Sequence, residues 1–121
     1  MTDFAAIVEE YIATWNDTDA TSRRQRIERS WAADASYTDP LVAAEGHEQI
    51  DQTIGAVQAQ FPGFRFHLVG PVDGHHEQVR FTWGLGPDGG ESLVVGSDVA
   101  LLGPNGALQQ VFGFLDKVPA A

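Results

Sequence analysis

The chain has no cysteine, a single methionine, and only 7 Lys and Arg residues against 17 Asp and Glu. Without thiols, disulfide staples, zinc–thiolate centres and thiol nucleophiles are excluded, and the redox compartment leaves no mark on the sequence. The shortage of basic residues gives a formal charge of −10, which repels phosphate backbones and anionic lipid surfaces over most of the molecule. Nucleic acid and membrane are therefore not expected partners. No window approaches the roughly 20 apolar residues that span a bilayer. The start, MTDFAAIVEEYIATW, places Asp3, Glu9 and Glu10 where a secretory signal would have a basic region and an unbroken apolar stretch. The expectation is a cytoplasmic protein. Gly-rich phosphate loops, nucleophile elbows and paired helix histidines are also missing, so nucleotide-binding and hydrolase signatures drop out.

What is present suits one globular domain over residues 1–121, with 43% hydrophobic and 20% charged residues. A domain of this size hides about 65% of the surface its unfolded chain exposes, enough to fold without staples. Phe4, Ile7, Val8, Tyr11, Ile12 and Trp15 recur at helical spacing and predict a first helix with one apolar stripe. Asn16-Asp17-Thr18-Asp19 supplies turn and cap residues, and a second helix is predicted from about Ala20 to Ala33, burying Ile27 and Trp31. Ser36-Tyr37-Thr38 reads as a short strand closed by Asp39-Pro40, with a loop to about Glu45. Gly46 opens a third helix, in which Ile50, Ile54, Val57 and Phe61 share a face, and Pro62-Gly63 ends it. Four β-rich runs follow, Phe64 to Val72, Gln78 to Leu85, Ser92 to Leu102 and Ala107 to Leu115, joined by short Gly-rich turns that favour an antiparallel meander. Helices followed by hairpins give an α+β fold with the helices on one face of the sheet.

Two aspartates stand out. Asp39, at a strand end beside Tyr37 and before Pro40, is either a rigidly held general base or a turn aspartate capping backbone amides. Asp98 interrupts an apolar strand on both sides, and a carboxyl pointing inward there would have a raised pKa and could act as a neutral hydrogen-bond donor. Alternation leaves its direction open, because apolar residues occupy both faces of that strand. Phe64, Phe66 and Leu68 are expected inside, opposite Arg65 and His67, and Val79, Phe81, Trp83 and Leu85 form the same half-buried pattern. The run from Arg23 to Arg29 is a solvated helix face or an anion-docking patch. His47 is either exposed at the start of its helix or placed at a pocket mouth. Adjacent His75 and His76 would point to opposite faces of an extended hairpin, so no metal site is expected with Asp73.

Helix one ending in Trp15, the Tyr37-Thr38-Asp39-Pro40 corner, Gly46, Phe81-Thr82-Trp83, Gly96-Ser97-Asp98-Val99 and Gly113-Phe114-Leu115-Asp116 together resemble the SnoaL-like and ketosteroid isomerase-like branch of the NTF2-like superfamily. The resemblance spans nearly the whole chain. It implies a cone in which three helices pack on a strongly curved, mostly antiparallel sheet around an apolar pocket. It further implies acid–base proton transfer on a small hydrophobic, steroid- or polyketide-like carbonyl compound, with Asp39 as base and Asp98 as acid. A pocket lined by Tyr11, Trp15, Tyr37, Phe61, Phe66, Phe81, Trp83 and Phe114 follows from the same likeness, as does a homodimer through the open sheet face. The neutral aspartic acid of ketosteroid isomerase is a known worked case of this pattern. Its oxyanion-hole tyrosine has no match here: Trp15 occupies that spacing, with Tyr11 one turn earlier. The competing reading is a non-catalytic module that binds a small apolar molecule. No cofactor is implied, since proton transfer needs none.

Overall fold

The computed structural model describes residues 2–119. In chain order the elements are α1 (Phe4–Asn16), α2 (Ala20–Ser30), β1 (Trp31–Thr38), β2 (Ala43–Glu45), α3 (Gly46–Gln60), β3 (Phe64–His75), β4 (Gln78–Pro87), β5 (Val94–Leu102) and β6 (Leu108–Lys117), with a 3-10 turn at Pro104–Gly106. The three helices pack on a curved six-stranded mixed sheet of order β2-β1-β6-β5-β4-β3. Among the described residues no helix is long and apolar enough to cross a membrane.

Helices α1 and α2 begin where the sequence supplies caps. Asp3 accepts the Ala6 N–H and Asp19 the Ser22 N–H, each at 3.0 Å, satisfying amides that the first helical turn leaves free. The apolar stripe of α1 buries Val8, Tyr11 and Trp15 against the sheet. The basic run of α2 is neither a free face nor an anion patch, because its arginines meet carboxylates of both neighbouring helices. Arg23 Nε donates to Asp51 at 2.6 Å, Arg24 Nε to the other Asp51 oxygen at 3.0 Å, and Arg26 Nε to Asp17 at 2.9 Å while its terminal nitrogen reaches Glu10.

The sheet strands β3 to β6 shift by one to three residues at their ends, and two larger differences from the sequence reading lie earlier in the chain. Helix α2 stops at Ser30 rather than Ala33, and Trp31 to Thr38 is a continuous strand. The Ile27 and Trp31 spacing that suggested one more helical turn instead marks a chain that leaves the helix with Trp31 already extended, at φ −111° and ψ 140°. The segment to Glu45, expected as loop, includes the short strand β2, which pairs antiparallel with β1.

From β3 to β6 the sheet is an antiparallel meander, and β1 then joins β6 in parallel. This parallel ladder sets Tyr37 beside Val111 and Thr38 beside Phe112. The chain therefore delivers Asp39 level with Gly113, which itself faces Asp98 across β5 and β6. The core beneath the helices includes Ile27, Trp31, Ile50, Ile54, Val79, Leu108 and Val111, all nearly inaccessible. On β3, Phe66 is buried as expected but Leu68 is 42% exposed, because the strand runs on toward the hairpin at the sheet edge with its register shifted between Val69 and Asp73.

Candidate active site

Asp98 points inward and is 1% exposed, on the buried face of β5 with Val94, Gly96, Ala100 and Leu102. Both of its oxygens accept hydrogen bonds. The Tyr11 hydroxyl donates to Oδ2 at 2.6 Å and the Trp83 indole N–H to Oδ1 at 3.2 Å. Two glycines make this possible. Gly96 lies opposite Trp83 across β4 and β5, and a Cβ there would collide with the indole. Gly113 lies opposite Asp98, and a Cβ there would stand 3.0 Å from Asp98 Oδ1, 3.3 Å from Asp39 Cβ and 3.4 Å from Tyr37 Oη. The two acids and Tyr37 thus converge over one bare stretch of backbone.

Asp39 is held as firmly. Its Oδ1 accepts the Leu41 and Val42 N–H groups at 2.8 and 3.0 Å, and its Oδ2 accepts the Tyr37 hydroxyl at 2.8 Å. Turn capping and a fixed position at the pocket edge, the two readings of this residue, are therefore compatible. The carboxyl caps the turn, and the turn fixes the carboxyl.

Burial pushes the Asp98 carboxyl up from 3.8 to about 6, against the lowering effect of the Tyr11 and Trp83 hydrogen bonds and with a further rise from the negative charges of Asp39 and Asp116. Burial likewise raises both phenols, and the neighbouring aspartates add to it. Tyr11 and Tyr37 consequently act as neutral hydroxyls.

Beside the acids lies a cavity of about 210 Å³. Tyr11, Trp15, Tyr37, Phe66 and Trp83 wall its polar end, while Ile12, Leu41, Val57, Phe61 and Val118 stand nearer its opening to solvent. A broader groove of about 960 Å³ between the start of α1 and the β5–β6 turn shares no lining residue with it and has neither acid. The smaller cavity, where partly exposed Asp39 and buried Asp98 converge, is the candidate site.

Of the ten residues singled out from sequence, Asp39, Asp98, Tyr11, Trp15, Tyr37, Phe61, Phe66 and Trp83 line this cavity. Phe81 and Phe114 do not. Phe81 lies deeper, its ring packed edge-on against Tyr11 with centroids 5.1 Å apart. Phe114 is 58% exposed, because Val111, Gly113 and Leu115 take the inward positions of β6 and alternation turns Phe112 and Phe114 to the other face. Trp15 does not take the place of the missing tyrosine either. Its indole nitrogen is buried with no hydrogen-bond partner, and Tyr11 one turn earlier reaches Asp98 instead. His47 lies away from the cavity, with Nε2 at 2.8 Å from the Trp31 carbonyl oxygen.

Sequence reasoning did not single out Ile12, Val57, Gln60, Val94 or Leu115 as lining, left Leu85 within a half-buried strand pattern, and missed Leu41 and Val118. Helical spacing from Tyr11 and Trp15 could have found Ile12. Nothing local marks Leu41 or Val118, which reach the cavity only through the tertiary fold.

A profile of the SnoaL-like domain matches residues 8–103. A protein of the SnoaL-like family from Agrobacterium tumefaciens strain C58, provisionally named an isomerase, is 40% identical over 96% of this chain and 99% of its own, with a TM-score of 0.90. A provisionally named SnoaL-like polyketide cyclase from Jannaschia sp. CCS1 is 15% identical over 96% of this chain and 90% of its own, at TM-score 0.72. An NTF2-like protein of unknown function from Cytophaga hutchinsonii is 14% identical over 96% of this chain and 92% of its own, at 0.67. These last two share the fold alone. No curated protein matches the chain. With one relative alike over almost its full length and the domain match across most of the sequence, the chain belongs to the SnoaL-like family.

Proposed function

We propose that the protein catalyses proton transfer next to a carbonyl group of a small apolar molecule held in the cavity, as an isomerase or cyclase. The observation that supports this is the meeting of two carboxyls, Asp39 and Asp98, over Gly113 at one end of an otherwise apolar cavity. Their surroundings differ: Asp98 is fully buried and raised to about 6, while Asp39 sits partly exposed at the edge. Such a pair divides acid and base work.

In the forward step Asp39 takes the proton from the carbon beside the carbonyl, and protonated Asp98 gives its proton to the carbonyl oxygen. The product of this step is an enol; Asp39 has gained the proton from carbon and Asp98 has lost its own to oxygen, with no external oxidant or reductant. Returning a proton from Asp39 to a different carbon, with the enol proton going back to Asp98, completes an isomerisation. Tyr11 and Trp83 hold Asp98 in position, and Tyr37 does the same for Asp39. The test is Asp39→Asn, which should abolish turnover of cyclic ketones and enones while leaving their affinity nearly unchanged. Equal turnover in the variant would sink the mechanism.

One observation favours a second reading. All the hydrogen-bond partners of Asp39 come from its own corner of the chain, as they would in a purely structural turn, which fits a binding module without chemistry. Ligand binding by the wild type with no turnover of any cyclic ketone or enone would favour it. In either reading we expect a homodimer through the outer sheet face, where Phe112 and Phe114 are exposed beside Val99. A monomer mass by analytical ultracentrifugation would overturn that expectation.

A further inference from the structure

A leucine is displayed where the cavity opens. Leu41 is 83% exposed, the highest value among the large apolar side chains of the described residues, and it lines the same cavity as the two acids. A loose loop does not account for this exposure. Asp39 Oδ1 accepts the Leu41 N–H at 2.8 Å and the Val42 N–H at 3.0 Å, and the Asp39 N–H returns to the Val42 carbonyl oxygen at 3.0 Å. Val42 packs against the core. The turn is thus pinned by its own hydrogen bonds and by its neighbour, and it holds Leu41 out in water.

A second apolar side chain reaches the opening from a segment far away in sequence. Val118 is 57% exposed and lines the cavity together with Pro119. Lys117, just before it, is in register with Val95 on β5, and its ammonium donates to the Ser92 carbonyl oxygen at 3.2 Å, so an ordered strand end carries Val118. Single exposed apolar residues are common on protein surfaces. Two held in place at the mouth of one cavity form a patch that a ligand in that cavity can cover.

Size and charge indicate what covers it. The cavity encloses about 210 Å³, below the ~300 Å³ at which pockets for drug-sized molecules begin. A single ring occupies such a space, and a longer substituent must leave through the opening. There it meets Leu41, Val118, Pro119 and the partly buried Phe61, with the exposed Gln60 as the polar side chain among them. Among the described residues no Lys, Arg or His lines the cavity. A charged extension therefore gains no partner, whereas a hydrocarbon extension gains cover from water.

We infer that the opening is a second binding subsite, in which Leu41 and Val118 hold an apolar extension of a molecule whose ring lies in the cavity, and that Leu41 sets a preference for extended over compact substrates. The ligand class is an uncharged cyclic carbonyl compound with an alkyl chain or a further apolar ring on the side away from the carbonyl. Only the carbonyl group in that description rests on the proton-transfer reading. The subsite itself requires no chemistry. Where chemistry does occur, contacts made by the extension supply binding energy remote from the reacting carbon, which can serve to hold the ring against the acids.

The experiment is isothermal titration of the full chain with 4-methylcyclohexanone and 4-pentylcyclohexanone, which differ only in the length of the extension. A fully buried methylene is worth about fourfold in affinity, and the rim covers one side of the chain, so the pentyl compound should bind about tenfold or more tightly. Leu41→Ser and Val118→Ser should each reduce this ratio about threefold or more, while Leu41→Met should keep it. A thermal melt confirms that each variant is folded. Equal affinity for the two ketones in wild type, an unchanged ratio in either serine variant, a loss in Leu41→Met as large as in Leu41→Ser, or no binding of either ketone would each overturn the inference. Ultracentrifugation of Leu41→Ser identifies a competing occupant: a lower mass than wild type with an unchanged ratio would assign the patch to a second copy of the chain instead. Exchange of the ketone α-hydrogens in deuterium oxide, followed by NMR, is read separately. A length preference without exchange leaves the subsite standing while proton transfer fails, and exchange without the preference does the reverse.

Discussion

The indole of Trp83 occupies the space directly over Gly96, its partner between β4 and β5, where any other residue would carry its side chain. That arrangement brings the indole N–H to Asp98. A methyl at position 96 would also stand 2.7 Å from the Phe114 carbonyl oxygen, so neither neighbour offers room. Gly96→Ala should cost about 1–3 kcal/mol of stability through overpacking and detach Trp83 from Asp98. Urea unfolding checks the first, and a blue or red shift of the tryptophan emission relative to wild type checks the second.

Gly113→Ala tests the meeting point itself. Its methyl would touch Asp98 Oδ1, Tyr37 Oη and the Asp39 side chain, wedging the two acids apart. Turnover should fall about tenfold or more, as small displacements of catalytic groups do, and a steady-state assay beside a thermal melt would separate this from unfolding. Unaltered turnover would mean that the acids do not act together.

The activity should depend on pH through Asp98. If protonated Asp98 supplies the proton to oxygen, kcat/KM, which reports the free enzyme, falls as pH rises through about 6. A profile rising through that value instead would make Asp98 the base and exchange the two roles.

Stability should carry the same signature, with a definite sign. Asp98 keeps its proton to about 6 in the folded chain against an ordinary 3.8. Its contribution is therefore fully present below pH 4 and is lost as pH rises through 6. A gap of about two pH units corresponds to about 3 kcal/mol. The stability of wild type relative to Asp98→Asn should drop by roughly that amount between pH 4 and 7 in urea titrations. Using the difference removes opposing groups such as Asp17. Burial pushes Asp17 up, but hydrogen bonds from Ser22, the Asp19 amide and Arg26 outweigh it and leave it lowered, so its stabilisation disappears on acidification.

The helix layer depends on Arg23, whose side chain is 11% exposed and which ties α2 to Asp51 and Gln58 of α3. Arg23→Ala should cost about 1–3 kcal/mol, less than a fully orphaned buried charge, because Arg24 still meets Asp51. Chemical denaturation gives the number.

The parts of the fold written in local pattern were legible. The stripe from Phe4 to Trp15 and the Gly-rich turns define their elements by spacing and backbone freedom alone. Trp31 was misread because its spacing from Ile27 satisfies a helix, and because the shift in register between Trp31 and Ser36 hides the alternation of β1. Strand β2 has only three residues, too few to show alternation although its partner β1 is close in sequence, and the parallel pairing of β1 with β6 exists only through partners distant in sequence. Asp98 could not be oriented by alternation, since Val95, Val99 and Leu101 make the outer face of β5 apolar too. What makes room for it inside is Gly96, two residues earlier on β5, which admits the Trp83 indole, and Gly113 on β6, which lies outside any window around Asp98. The family likeness puts Phe114 at the pocket, and its parity on β6 puts it outside.

The β1–β6 ladder has a consequence for how the molecule is made. It joins Trp31 to Leu108 and Thr38 to Phe112, so the strand that delivers Asp39 waits for the last strand in the described chain. Synthesis is vectorial at about 5–20 residues per second. The helices and β1 therefore leave the ribosome seconds before the strand that completes their ladder exists. Contacts so far apart in sequence form slowly, which makes the nascent N-terminal half a natural client of chaperones. The two acids meet only once that final strand has closed the sheet.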